Sequence, residues 1–308
     1  MDCTPRPHYV YRGIRVCIVM PARNEARHVA KAISTLPDFV DRVVIVDDGS
    51  TDSTAKEAAE AEVINSGGIG VGGAIAAGYQ YLVKTETDEQ WCAVVMAGDG
   101  QMDPADLPTL LQPITDDSAD FVKGNRAMHA EGLRTMPLRR RIGTWWLTHL
   151  TNLATGLSIG DPQCGYTVCS GRMLKEWDFR DNWDGYGYPN WWLLRCVESG
   201  IRVQEAAVRA IYEGQSSGIR IARFLPRISM MLFTGLLFRG SRWYLAGVGG
   251  TPLVKRALVG AGFLGGLALM ASTPIIGIAG LAGLGGLALS RYVDREQVAM
   301  RMGARVGN

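Results

Sequence analysis

The chain has 308 residues, 47% of them hydrophobic, which is enough for one large core or one domain with an appendage and excludes a small fold held by disulfides. Its formal charge of +2 gives no ground for a nucleic-acid partner, and the one local concentration of basic residues lies at 139–141. The six cysteines (Cys3, Cys17, Cys92, Cys164, Cys169, Cys196) contain no C-x-x-C pair and read as free thiols of a reducing compartment.

Charge is scattered through the first 15 residues, and the first apolar run, Val16 to Met20, is too short for a signal peptide or a membrane span. A cytoplasmic catalytic part is therefore expected. From Arg15 to about Val122, short β-branched runs alternate with helical stretches, the pattern of a parallel sheet covered by helices. The strands expected are 15–20, 42–47, 62–65, 91–96 and 120–123. Asn24 precedes a helix over 25–36, Asp52 one over 53–61, and Asp103-Pro104 sets a capping carboxylate before a proline at the first helical position. A second section, 124–221, reads as a long helix near 138–156, a loop at 157–166, a strand at 166–169 and a helix near 190–199.

Beyond Arg220 the character changes. Residues 224–247 carry Arg227, Arg239 and Arg242 among Leu, Ile, Met, Phe, Trp243 and Tyr244, the mix of a helix lying in a bilayer interface. From Ala257 to Ser290 no residue is charged, with Lys255-Arg256 before the run and Arg291 after it. A single helix of that length would reach about 50 Å, against a hydrocarbon layer of roughly 30 Å. Pro274 divides the run into two pieces, so two short transmembrane helices forming a hairpin are expected, with both basic ends on the cytoplasmic side. The expected domains are thus 1–222 (catalytic), 223–250 (interfacial) and 251–308 (hairpin and tail), in a multi-pass protein of the cell membrane.

The chemistry gathers at strand ends, where open α/β sheets bind ligands. The first strand runs into Pro21-Ala22-Arg23-Asn24-Glu25, and the second into Val46-Asp47-Asp48-Gly49-Ser50-Thr51-Asp52. Adjacent carboxylates at that rim suit a nucleotide base or ribose, because a carboxylate only accepts hydrogen bonds. The fourth strand ends in Ala97-Gly98-Asp99-Gly100-Gln101, oxygen ligands suited to Mg²⁺ or Mn²⁺ held jointly with a diphosphate. Arg139-Arg140-Arg141 followed by Thr144-Trp145-Trp146 combines phosphate-binding forks with residues that favour a membrane interface.

In their order, P-A-R-N-E, V-D-D-G-S-T-D, G-D-G-Q-M-D-P, K-G-N-R and D-P-Q-C-G-Y resemble the family-2 glycosyltransferases, especially the polyprenyl-phosphate (dolichyl-phosphate) mannose or glucose synthases, over about residues 14–221. The resemblance implies a GT-A (Rossmann-like) α/β fold and a GDP- or UDP-hexose donor. It also implies a polyprenyl phosphate acceptor at a membrane, inversion at the anomeric carbon, and no nucleic acid. By the same resemblance Pro21, Arg23, Glu25 and Asp48 hold the nucleoside, with Val46, Gly70 and Gly98 on the donor side; Asp99 and Gln101 hold the metal; and Arg126 meets the phosphates. Arg140 and Thr144 stand in the register of a stretch that meets the lipid phosphate. Asp161 orients the acceptor or a basic residue, or acts as base if the acceptor is a hydroxyl.

Two departures stand out. Ala97 replaces the first acid of D-x-D, and 211–217 lacks the basic residues that relatives carry after the last strand, leaving Arg220 as a substitute. Two further readings stay open: a same-fold transferase acting on a glycan hydroxyl, and a non-catalytic sugar-nucleotide-binding membrane subunit. Gly68-Ile69-Gly70-Val71-Gly72-Gly73 matches a dinucleotide fingerprint, but the next strand runs into Ala97 and Gly98 where such a site needs an acid. The glycines read instead as room for backbone beneath the donor. Tyr186, Tyr188, Trp191 and Trp192 line the sugar or pack the second half, and the four histidines show no ligand spacing.

Overall fold

The computed structural model describes residues 11–88, 90–129, 138–209, 211, 221–248, 250–272 and 278–303. Cys3, Pro274 and the segment from 212 through Arg220 lie outside the described residues, as do the side chains of Arg139 and Arg140.

The β-branched runs form β1 (Arg15–Ala22), β2 (Arg42–Asp47), β3 (Glu62–Asn65), β4 (Trp91–Val95) and β5 (Phe121–Asn125), all within two residues of the expected bounds. With β6 (Thr167–Ser170) and β7 (Val203–Ala207) they make a mixed sheet ordered β3-β2-β1-β4-β6-β5-β7. Only β6 is antiparallel to its neighbours, pairing Val168 with Val94 on one side and Val122 on the other. The central strands are buried on both faces, which is why they read as continuous apolar runs without alternation.

One face carries α1 (Val29–Ser34), α2 (Thr54–Glu57) and α4 (Leu107–Thr115); the other carries α3 (Val71–Thr85), α6 (Gly171–Glu176) and α7 (Tyr188–Glu198). Both α1 and α2 are shorter than expected. Asn24 does not cap a helix: it sits at φ 57° and its side-chain oxygen accepts from the Thr51 amide, while Asp52 accepts from the Ala26 and Thr54 amides. The loops after β1 and β2 therefore bind each other. Cys17, Cys92, Cys164, Cys169 and Cys196 are all free and buried.

α5 (Leu138–Thr155) packs on α8 (Ile221–Gly240), which runs into a π-helical turn over Ser241–Leu245. α9 (Leu253–Ser272) and α10 (Ile278–Gly303) then form a tight hairpin. The expectation of two transmembrane helices is corrected here, because among the described residues no helix is long and apolar enough to cross a membrane. The charge-free stretches inside the helices, 257–272 of α9 and 278–290 of α10, would rise only about 24 and 20 Å. α10 then continues through Arg291, Asp294, Arg295 and Glu296 without a break, and this second half lies on the catalytic domain.

Candidate active site

The C-terminal ends of β1, β2, β4 and β5 meet at one rim of the sheet. Asp48 follows β2 and is almost wholly buried. One of its oxygens accepts from the Ser66 hydroxyl at 2.7 Å and the other from the Gly70 amide at 2.9 Å, so it folds the loop between β3 and α3 against the rim. Asp47 accepts from the Ser50 amide, fixing the turn at Gly49. At the end of β1, Pro21 is buried and Arg23 exposed, whereas Glu25 is half-buried and pairs with His28 at 2.9 Å. Val46 is buried within β2, and Gly98 packs against Ala22.

The glycine-rich start of α3 serves a purpose different from the one expected. Gly72 and Gly73 amides donate to the Asp184 carbonyl, a Cβ on Gly72 would collide with the Trp183 carbonyl, and a Cβ on Gly70 would lie 2.5 Å from the Asp184 oxygen. The backbone that these glycines admit belongs to the chain itself, and it takes the helix N–H groups that a dinucleotide pyrophosphate would use.

Asp99 is half-buried, its Oδ1 accepts from the Gln101 amide at 3.0 Å, and burial raises its pKa. Among the described residues no group of three or more His, Cys, Asp or Glu could hold a metal. The described residues thus offer one desolvated carboxylate here, with Gln101 held next to it through its backbone amide. That donor set fits Mg²⁺ or Mn²⁺ when a diphosphate supplies further oxygens, since such ions are commonly held by one or two carboxylates plus phosphates and water. Asp103, the next acid, is committed to capping the Ala105 amide.

Beneath this rim lies a buried ionic cluster. Arg126 follows β5 and forks onto Asp161 with Nε at 2.6 Å and Nη2 at 3.0 Å, and its own amide donates to the same carboxylate. Asp161 is fully buried, which by itself raises its pKa; the Arg126 bonds and charge, with the Lys123 charge, outweigh burial and hold it below the usual carboxylate range. Lys123 is buried in β5, donates to the Cys164 carbonyl, and has its pKa lowered by burial. Glu205 on β7 completes the cluster, accepting from the Asn125 side chain at 3.0 Å and from the Gly160 and Asp161 amides. Sequence reasoning missed Glu205 because Val203-Gln204-Glu205-Ala206-Ala207 lacks a strand's β-branched pattern.

The remaining candidates separate. Tyr188 and Trp192 are core residues, the first donating to the Gly165 carbonyl and the second stacked on Trp177 at 4.2 Å. Tyr186 is exposed. Arg140 and Thr144 occupy successive turns of α5, where Thr144 is half-buried and Trp145 and Trp146 are exposed.

A sheet of this order, with carboxylates at the ends of its second and fourth strands, has the architecture of the GT-A fold. Residues 17–178 match the pattern of "Glycosyl transferase family 2", and the chain belongs to that family and is a glycosyltransferase. It is 27% identical to the UDP-N-acetylglucosamine–dolichyl-phosphate N-acetylglucosaminyltransferase of Methanococcus voltae, over 64% of this chain and 86% of the relative. With the dodecaprenyl-phosphate galacturonate synthase of Rhizobium johnstonii it shares 24% identity, over 54% and 50%. In fold it is similar to glucosyl-3-phosphoglycerate synthase of Mycobacterium tuberculosis, solved with Mn²⁺ and UDP, at a TM-score of 0.52 and 20% identity, covering 74% of this chain and 80% of that one.

Proposed function

We propose that the enzyme transfers a hexose from a nucleoside-diphosphate sugar to a polyprenyl phosphate at the cytoplasmic face of a membrane, with inversion at the anomeric carbon. The observation that carries this is the Arg126–Asp161 fork. A hydroxyl acceptor needs a positioned base to take its proton, and Asp161, held ionised by Arg126 and Lys123, is a poor one. A phosphate monoester, with a second pKa near 6, is largely ionised at pH 7 and needs no base.

In this reading Asp48, with Pro21, Arg23, Glu25 and Val46, forms the nucleoside side of the rim. Asp99 and Gln101 would hold the divalent cation, which when bound neutralises charge on the leaving diphosphate. A phosphate oxygen of the acceptor attacks the anomeric carbon as the bond to the donor diphosphate breaks, giving a glycosyl phosphate lipid and a nucleoside diphosphate. Asp161 fixes the plane of Arg126 so that its guanidinium meets phosphate, and Arg140 with Thr144 receives the lipid phosphate.

The lipid acceptor is supported by an apolar groove of about 620 Å³ between α7 and α8, lined by Trp183, Trp191, Leu194, Arg227, Met230 and Phe238 among others. It opens beside the Trp183–Asp184 backbone that caps α3. Exposed Trp145, Trp146, Phe233 and Leu237 continue the apolar surface over α5 and α8, and exposed Leu253 and Val254 stand at the start of α9. Such faces seat a protein in a bilayer interface without crossing it. Purified enzyme, labelled UDP- and GDP-sugars, and either polyprenyl phosphate or free polyprenol test the reading. Product from the phosphate alone is expected; product from the alcohol alone would overturn it.

A further inference from the structure

We infer that the second half of α10 positions the active-site loop at 156–161, with Asp294 as its central positioning residue. The catalytic consequence rests on the reading of Asp161 and Arg126 given above. α10 is one helix with two partners. Its first half lies on α9, where Gly262 and Gly266 face the Gly286 and Gly283 carbonyls closely enough that a Cβ would stand 2.6 and 2.7 Å from them. Its second half lies on the end of α5 and the loop that follows.

There the contacts come residue after residue. Asp294 takes a bidentate fork from Arg239 at 2.6 and 2.8 Å and a hydrogen bond from the Tyr244 hydroxyl, all buried. Arg239 then donates its Nε to the Ala154 carbonyl at 2.8 Å, in the last turn of α5. Gly156, at φ 76°, ends that helix in the left-handed region; a Cβ on it would lie 2.6 Å from Val298 Cγ2 and 2.9 Å from Asp294 Oδ2. Leu157 packs against the apolar cluster that contains Val293 and Val298, and the Ser158 hydroxyl accepts from Arg295.

From Ile159 onward the partners change. Asn152 bonds both the amide and the carbonyl of Ile159 at 2.9 Å, and Glu205 takes the Gly160 and Asp161 amides. The loop that delivers Asp161 to Arg126 is thus clamped by the sheet on one side and by α10 on the other. Asp294 reaches this loop through Arg239, the Ala154 carbonyl and Gly156, and so acts on the chemistry through the loop.

The test uses the full chain and three variants. Asp294→Ala removes the fork; Val298→Ala opens the contact at Gly156 without stranding a charge and serves if the first variant fails to fold. Tyr292→Ala, exposed on the same helix, is the control. Amide hydrogen exchange is expected to quicken about tenfold or more at 157–161 in Asp294→Ala, and less in Val298→Ala, while Val16–Met20 in β1 exchanges as before. In the same variants kcat for transfer is expected to fall with nucleotide affinity kept, and the acid limb of kcat is expected to move upward as Asp161 loses its fixed partner. Unchanged exchange at 157–161, equal acceleration throughout the sheet, or a loosened loop with wild-type kcat would each overturn the inference. An Asp161→Asn enzyme with wild-type kcat would instead refute the role given to Asp161, and loop exchange would still decide whether α10 positions the loop.

Discussion

Replacing Asp161 by Asn probes the ionic cluster most directly. The carboxylate accepts from three donors of one residue, the Arg126 amide, Nε and Nη2, and is fully buried. Asn retains one carbonyl oxygen, which can still serve the amide and Nε, but its NH₂ would face Nη2, donor against donor. Losing one charge-assisted bond costs about 1.5–3 kcal/mol, and removing one partner of a buried pair costs about 3–5 kcal/mol. A destabilisation of about 3 kcal/mol at pH 7 is therefore expected, toward the lower end because one acceptor survives. The pH dependence follows from the direction of the shift. The folded pKa of Asp161 lies below its unfolded value, so its ionisation stabilises the native state fully above about pH 4 and is lost as pH falls through the folded pKa. Urea unfolding of both proteins from pH 7 down to pH 3 would show the difference holding to about pH 4 and narrowing below it. A difference that stays constant through that range would refute the assignment of Asp161 as an ionised partner.

Asp99→Asn is expected to cut divalent-dependent turnover on the order of 10²-fold or more, since Lewis-acid stabilisation is worth several kcal/mol; a Mn²⁺ titration of initial rates checks this. Gly72→Ala forces a methyl onto the Trp183 carbonyl and should cost about 1–3 kcal/mol in thermal unfolding. Asp48→Ala frees the Ser66 hydroxyl and the Gly70 amide together, so calorimetry should show weaker nucleotide binding. Trp145→Ala with Trp146→Ala should reduce sedimentation with anionic vesicles and leave nucleotide binding intact, because both rings face outward.

The parallel half of the fold was legible because β1, β2 and β4 are runs of buried apolar residues rich in valine and isoleucine. The lengths of α1 and α2 were not, because Asn24 and Asp52 look like caps yet bond across to each other's loop, a choice that only the juxtaposition of two strand ends reveals. β7 escaped because it lies at the sheet edge with Gln204 exposed, so apolar periodicity is weak. At the candidate site, Asp99, Arg126 and Asp161 were picked out by motif order, and the structure places Arg126 and Asp161 in one ion pair. Their environment depended on Lys123 and Glu205, which no local pattern marks, and the glycines of α3 are explained by Trp183 and Asp184, more than a hundred residues away. The charge-free run of 257–290 correctly marked a helical hairpin. It did not mark a membrane span, because among the described residues no helix is long and apolar enough to cross one, and α10 goes on into charged residues such as Asp294, which meets Arg239 55 residues earlier.

The clamp on the 156–161 loop also bears on how the enzyme comes into being. Arg295 and Ser158 are 137 residues apart, and chains fold their N-terminal parts first during synthesis. The sheet can close once β7 has emerged, well before α10 exists. A nascent chain would thus hold a folded nucleotide-binding half with the side of its active-site loop at 154–158 still open. Full activity would arrive only when α10 docks.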